Sequence, residues 1–168
     1  HLDLVARAVD DRRSVTTLFE WVPAGDLSVD VGFLVDPLAD VDLAPFGEIF
    51  ADAGICKIFH DSEYDVLILG RDFGFKFANL FDTRVAAATL GMEAPGLASV
   101  LRDHFGVELD KSMQRSDRAK RPLSEKQISY ARLDTHYLVA LRDTQLQELT
   151  ASGCWPEAHE EFVRLARR

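Results

Sequence analysis

The stretch ICKIFHDSEYDVLILGRDFG, Ile55 to Gly74, decides the fold. Its opening run, Ile55–Phe59, is short and apolar and reads as a buried strand. From about Ser62 the apolar residues recur at helical spacing, until Gly74 supplies the residue best suited to the left-handed turn that ends a helix. A buried strand that feeds directly into a helix is the building unit of α/β folds. The junction between the two is dense in acids, with Asp61, Glu63 and Asp65 in quick succession.

Working toward the N-terminus, Phe46, Ile49 and Phe50 form the inward face of an amphipathic helix that begins at Asp42 and stops at Gly54. Before it, Val29–Val35 reads as a strand running into Asp36-Pro37, and Gly25 with its polar neighbours marks a turn. SVTTLFEWVP, Ser14 to Pro23, carries an earlier strand, around Val15–Val22. Leu2, Val5, Ala6 and Val9 fall at helical spacing and predict a helix, closed by Asp10-Asp11-Arg12-Arg13. Beyond Gly74 the pattern is mainly helical. Helices are expected over Asp82–Leu90 and Leu97–Phe105, each closed by a glycine, then over Glu125–Ala151 and Glu157–Arg167. Ser124 and Gln127 make a capping box at the start of the third of these. With no internal repeat and no change of composition, residues 1–168 read as a single α/β domain with strands early and helices late.

The chain has 168 residues, a formal charge of −9 and 47% hydrophobic residues. No apolar run approaches the roughly 18 residues a membrane helix needs, so a soluble protein with no membrane partner is expected. Cys56 and Cys154 lack metal-type spacing and read as reduced thiols, with the cytoplasm as the default location and the nucleus compatible. The chain lacks an initiator Met, and His1 reads as a cut edge of something longer. The negative balance argues against binding nucleic acid by bulk electrostatics alone. A site that gathers carboxylates around metal ions would itself produce such a balance.

Four places hold acids that patterning alone does not require. Glu20 closes an apolar strand; Asp65 follows a buried strand; Asp82 lies in LFDT; and YARLDTHYL sets Tyr130 and Asp134 four apart on one helix face, with Tyr137 beside them. Each has an ordinary explanation. Asp82 stands where an N-cap is needed, Asp65 and Asp134 suit exposed helix positions, and Glu20 suits an edge strand. Together they suggest hard oxygen ligands drawn from a strand end and two helices, the donor set for Mg²⁺ or Mn²⁺ in phosphoryl chemistry. A tyrosine one turn before such an acid can orient a water. Basic residues concentrate between Lys111 and Lys126, where Lys111, Arg115, Arg118, Lys120, Arg121 and Lys126 face only Asp117 and Glu125. This strip is the candidate phosphate-facing surface.

KIFHDSEYDVLIL, NLFDTRVAA, LDKSMQRSDRAKRPLSEKQISYARLDTHYL and FLVDPL together resemble the ribonuclease D family of DEDDy 3′–5′ exonucleases. The resemblance runs from Phe33 to Leu149 and implies the ribonuclease H-like exonuclease fold: α/β, with a mixed central sheet of about five strands flanked by helices on both sides. By position, Asp65 matches the second-motif aspartate, His60 the residue that often precedes it, and Tyr130 and Asp134 the third motif. The resemblance further implies two Mg²⁺ or Mn²⁺ ions and a tyrosine that helps position the attacking water. It also implies a helical nucleic-acid-binding domain that is absent from this chain.

The first motif departs from the family pattern. LFEW, Leu18 to Trp21, falls where relatives carry Asp-x-Glu, so Glu20 is retained and Leu18 replaces the aspartate. A second register puts the motif at Asp3-Leu4-Val5, keeping the aspartate and losing the glutamate. The first is preferred because it accounts for the expected preceding helix and for Trp21. Either way one carboxylate is missing, which weakens metal binding by several kcal/mol at intermediate dielectric, the second ion most. Arg118 also replaces a tryptophan common after the serine-aspartate of the RPL lead-in. The expected activity is removal of 3′-terminal nucleotides from single-stranded RNA, with DNA as an alternative. Catalytic residues would be Glu20, Asp65, Tyr130 and Asp134; metal ligands Glu20, Asp65 and Asp134; and nucleic-acid contacts His60, Lys111, Arg115, Arg118, Lys120 and Arg121. The competing reading is a catalytically silent module that binds RNA or a protein.

Overall fold

A computed structural model describes the backbone of residues 2–11, 14–22, 32–35, 42–109 and 122–168, and side chains within the last two segments except those of Ala131 and Asp134. The described strands are β1 (Leu2–Asp11), β2 (Ser14–Val22), β3 (Gly32–Val35), β4 (Ile55–Phe59) and β5 (Leu80–Asp82). They form one sheet in the order β3-β2-β1-β4-β5. β1 pairs antiparallel with β2, and β2 with β3, whereas β1, β4 and β5 run parallel. The helices are α1 (Ala44–Ala51), α2 (Glu63–Phe73), α3 (Thr83–Thr89), α4 (Leu97–Phe105), α5 (Glu125–His136), α6 (Leu138–Ser152) and α7 (Trp155–Ala166).

β4 organises the core. Ile58 and Phe59 are both fully buried, and, being consecutive on a strand, they face opposite sides of the sheet. Phe59 joins Phe50, Val66, Leu69, Phe81 and Phe162 in one cluster, which draws in α1, α2 and α7. Ile58 joins Ala87, Val100, Leu101, Leu138 and Leu141 in another, built on α3, α4 and α6. The strand is therefore covered on both faces, which explains why four of its five residues are apolar rather than every second one.

Lys57, which precedes Ile58 and Phe59 on the same strand, is nevertheless 0% exposed. Its ammonium donates to the carbonyls of Asp52 and, at 2.7 Å, Ile55, closing the turn between α1 and β4. Burial lowers its pKa from 10.5 to about 8, partly opposed by the nearby charges of Cys56 and Asp52. Between these two values the unfolded chain holds the proton and the folded chain does not, so stability rises with pH across that window. Urea unfolding at pH 8 and pH 9.5 should show the wild type gaining up to about 2 kcal/mol relative to Lys57→Met. A difference that stays flat or falls would contradict the desolvation argument.

Three sequence expectations are corrected. The segment Leu2–Val9 is not a helix but part of β1. Its apolar residues satisfy a helical period and also a near-continuous strand, and pairing on both sides, with β2 and β4, decides for the strand. The helix expected over Glu125–Ala151 is divided at Tyr137, where the backbone sits at φ −92°, ψ −7° and joins α5 to α6. The segment Leu80–Asp82 is a strand, too short to leave a pattern in the sequence. Of the strand expected over Val29–Val35, Gly32–Val35 is described and forms β3.

Candidate active site

Open α/β sheets bind ligands beyond the carboxyl ends of their parallel strands. β4 ends at Phe59, and the chain then passes through His60, Asp61 and Ser62 into α2. Asp65, in the first turn of that helix, is only 5% exposed, which rules out an ordinary solvent-facing acid. α2 packs against β1, and α5, the helix of Tyr130 and Asp134, packs against β1, β2 and β3. Tyr130 is half-buried; the side chain of Asp134 lies outside the described residues.

The connection between β4 and α2 is held by Asp82, which is 1% exposed. Its Oδ1 accepts from the N–H groups of Arg84 at 2.9 Å and Val85 at 3.2 Å, the N-cap role expected from sequence. The same carboxylate also accepts from Asp61 N at 3.1 Å and Ser62 N at 2.7 Å. Asp61 adopts φ 66°, an uncommon conformation for a side chain-bearing residue, and pairs with Arg84 at 3.3 Å. One buried acid thus joins the start of α3 to the turn that precedes Asp65. Sequence reasoning assigned Asp82 only its local role, because the second pair of donors comes from a segment 20 residues away.

His60 is 6% exposed, with Nδ1 2.9 Å from the hydroxyl of Thr83. Thr83 was not among the residues singled out from the sequence; its place directly after the capping acid was the available signal. Glu20 pairs with Val5, and Val5 with Ile58, two residues before His60. Leu18 pairs with Arg7, which comes level with His60 when the register is continued. Asp3 pairs with Cys56, four residues before His60 and so further from that end. The helix that favoured the Leu18–Glu20 register is absent, but the strand register still sets Glu20 nearer this end than Asp3. Lys111, Arg115, Arg118, Lys120 and Arg121 lie outside the described residues.

Among the described residues, no three His, Cys, Asp or Glu side chains form a cation site. The candidate ligands Glu20, Asp65 and Asp134 are all carboxylates, and the one whose side chain is described is buried at the start of a helix, so the donor chemistry fits a hard divalent ion. A cavity of about 490 Å³ lies at the opposite end of the sheet, lined by Cys56, Asn79, Arg142, Trp155 and His159, and holds none of the candidate residues.

Comparison with known proteins agrees with this architecture. The 3′–5′ exonuclease family matches residues 7–150. The chain is 42% identical over 141 residues to Protein RRP6-like 3 of Arabidopsis thaliana, covering 81% of this chain and 16% of that protein. It is 40% identical over 124 residues to ribonuclease D of Desulfotalea psychrophila, covering 73% of this chain and 33% of that one. The crystal structure of Escherichia coli RNase D, described as an exoribonuclease involved in structured RNA processing, superposes with a TM-score of 0.84 at 30% identity, over 99% of this chain and 44% of the other. The chain therefore spans less than half the length of each of these relatives. The matched segment includes β4 and the two helices α2 and α5, of which α2 carries Asp65 and α5 carries Tyr130 and Asp134. The chain belongs to the 3′–5′ exonuclease family, with ribonuclease D and RRP6 proteins as its relatives.

Proposed function

We propose that this domain removes nucleotides from the 3′ ends of single-stranded RNA, with DNA as the alternative substrate, by hydrolysis that depends on Mg²⁺ or Mn²⁺. The burial of Asp65 directly beyond the carboxyl end of β4 carries this reading. Asp65, Asp134 and Glu20 would hold the metal. Bound divalent ions stabilise charge developing on the phosphate and favour a nucleophilic water at neutral pH. Tyr130, one helical turn before Asp134, orients that water through its hydroxyl. Lys111, Arg115, Arg118, Lys120 and Arg121 hold the phosphate backbone, and Leu18 marks the missing first-motif acid.

The register of Leu18 opposite Arg7 supports a second reading, a silent module that binds RNA without cutting, because neither position supplies a carboxylate. Incubation of 5′-labelled single-stranded RNA with Mn²⁺, with and without chelator, separates the two. The nuclease shortens the RNA stepwise until metal is removed; the silent module retains binding and leaves length unchanged. Restoring the acid with Leu18→Asp should raise both Mn²⁺ affinity and rate by about tenfold or more, since it returns one negative ligand to the cluster. An unchanged Mn²⁺ titration would show that Leu18 is not the degenerate position.

A further inference from the structure

Thr83 is fully buried at the start of α3, and three groups converge on it. Its hydroxyl donates to the carbonyl of Phe59 at 3.0 Å. The same oxygen lies 2.9 Å from His60 Nδ1. Its own carbonyl accepts from the side-chain amide of Gln145, on α6, at 2.9 Å. A threonine hydroxyl has one proton, and a carbonyl can only accept. The proton therefore points to Phe59, a lone pair faces His60, and Nδ1 must be the protonated nitrogen. In the neutral ring, Nε2 is then the unprotonated one. That nitrogen is buried, and the whole residue is 6% exposed.

We infer that Thr83 is a positioning residue: it fixes His60 as the Nδ1–H tautomer, and the pair acts as an internal strut that sets the turn delivering Asp65, rather than as a contact to nucleic acid. The strut complements Asp82. That carboxylate holds the backbone of residues 61 and 62 from one side, while Thr83 ties Phe59 and His60 to the same helix start. Every residue of the passage from β4 to α2 is thereby anchored to the first turn of α3 or the residue that caps it. The consequence for the site rests on the nuclease reading above; the tautomer assignment does not.

The experiment compares wild type with Thr83→Val, which keeps the shape and removes the hydroxyl, and Thr83→Ser, which keeps the hydroxyl. Nitrogen-15 NMR of the imidazole should show Nδ1–H for His60 in wild type and Thr83→Ser, and loss of that fixed tautomer in Thr83→Val. Thr83→Val should weaken Mn²⁺ binding about tenfold and lower kcat by a similar factor with KM unchanged, as supporting residues around metal ligands do, and Thr83→Ser should restore both. An Nε2–H tautomer in wild type overturns the inference. So does a Thr83→Val variant that matches wild type, or one that raises KM while leaving kcat intact, as a lost substrate contact would. If wild type cuts no RNA, the nuclease reading fails, while the NMR and Mn²⁺ arms still test the strut.

Discussion

Asp134→Asn should lower the rate of 3′-nucleotide removal by about 10³-fold or more while leaving the thermal midpoint nearly unchanged. The substitution keeps the volume of the side chain and, under the proposed metal-binding role, removes one negative charge from the ligand set. A 10³-fold loss corresponds to about 4 kcal/mol of transition-state stabilisation, within reach of a single charge lost from a metal site. Asp65→Asn should behave alike in rate. Initial rates on 5′-labelled single-stranded RNA in Mn²⁺, beside a thermal melt, check both. A rate within tenfold of wild type for either variant would remove that residue from the catalytic set.

Asp82→Ala should be among the most damaging single changes in the domain, at about 3–5 kcal/mol. It leaves four backbone N–H groups without their acceptor, those of Asp61, Ser62, Arg84 and Val85. Loss of an N-cap alone typically costs about 1 kcal/mol, and each further buried donor left unsatisfied costs about 1–3 kcal/mol. Asp82→Asn should cost less, since its one carbonyl oxygen can keep the Arg84 and Val85 donors but its amide cannot accept from Ser62. Urea denaturation with a common m-value measures the order wild type, Asn, Ala. A loss near 1 kcal/mol for Ala would mean that the acid only caps α3.

Where signals were local, the sequence was legible. The buried strand Ile55–Phe59, the helix Leu97–Phe105 and the Gly74 stop of α2 are written within a few residues of where they act, and Gly74 takes φ 69° as a helix-ending glycine should. The Ser124–Gln127 capping box likewise forms in full. What failed was non-local. Whether Leu2–Asp11 is helix or strand is decided by β2 and β4, and β4 is reached only more than 40 residues later. The break at Tyr137 has neither proline nor glycine to announce it. For the site, Asp65 was recognisable as an acid at a strand-to-helix junction, but its burial, and the anchoring of its turn by Asp82 and Thr83, belong to tertiary contacts that spacing does not encode.

The shared carboxylate of Asp82 also bears on motion. Turns between strands and helices ordinarily loosen on their own, ahead of the elements they connect. Here the turn of residues 61 and 62 cannot detach without giving up both backbone bonds to the acid that caps α3, and α3 is tied through Thr83 to Gln145 on α6. These bonds couple the three segments, so the amides of Asp61 and Ser62 should exchange with solvent more slowly than those of an untied turn, and hydrogen exchange in wild type beside Asp82→Asn would read that coupling.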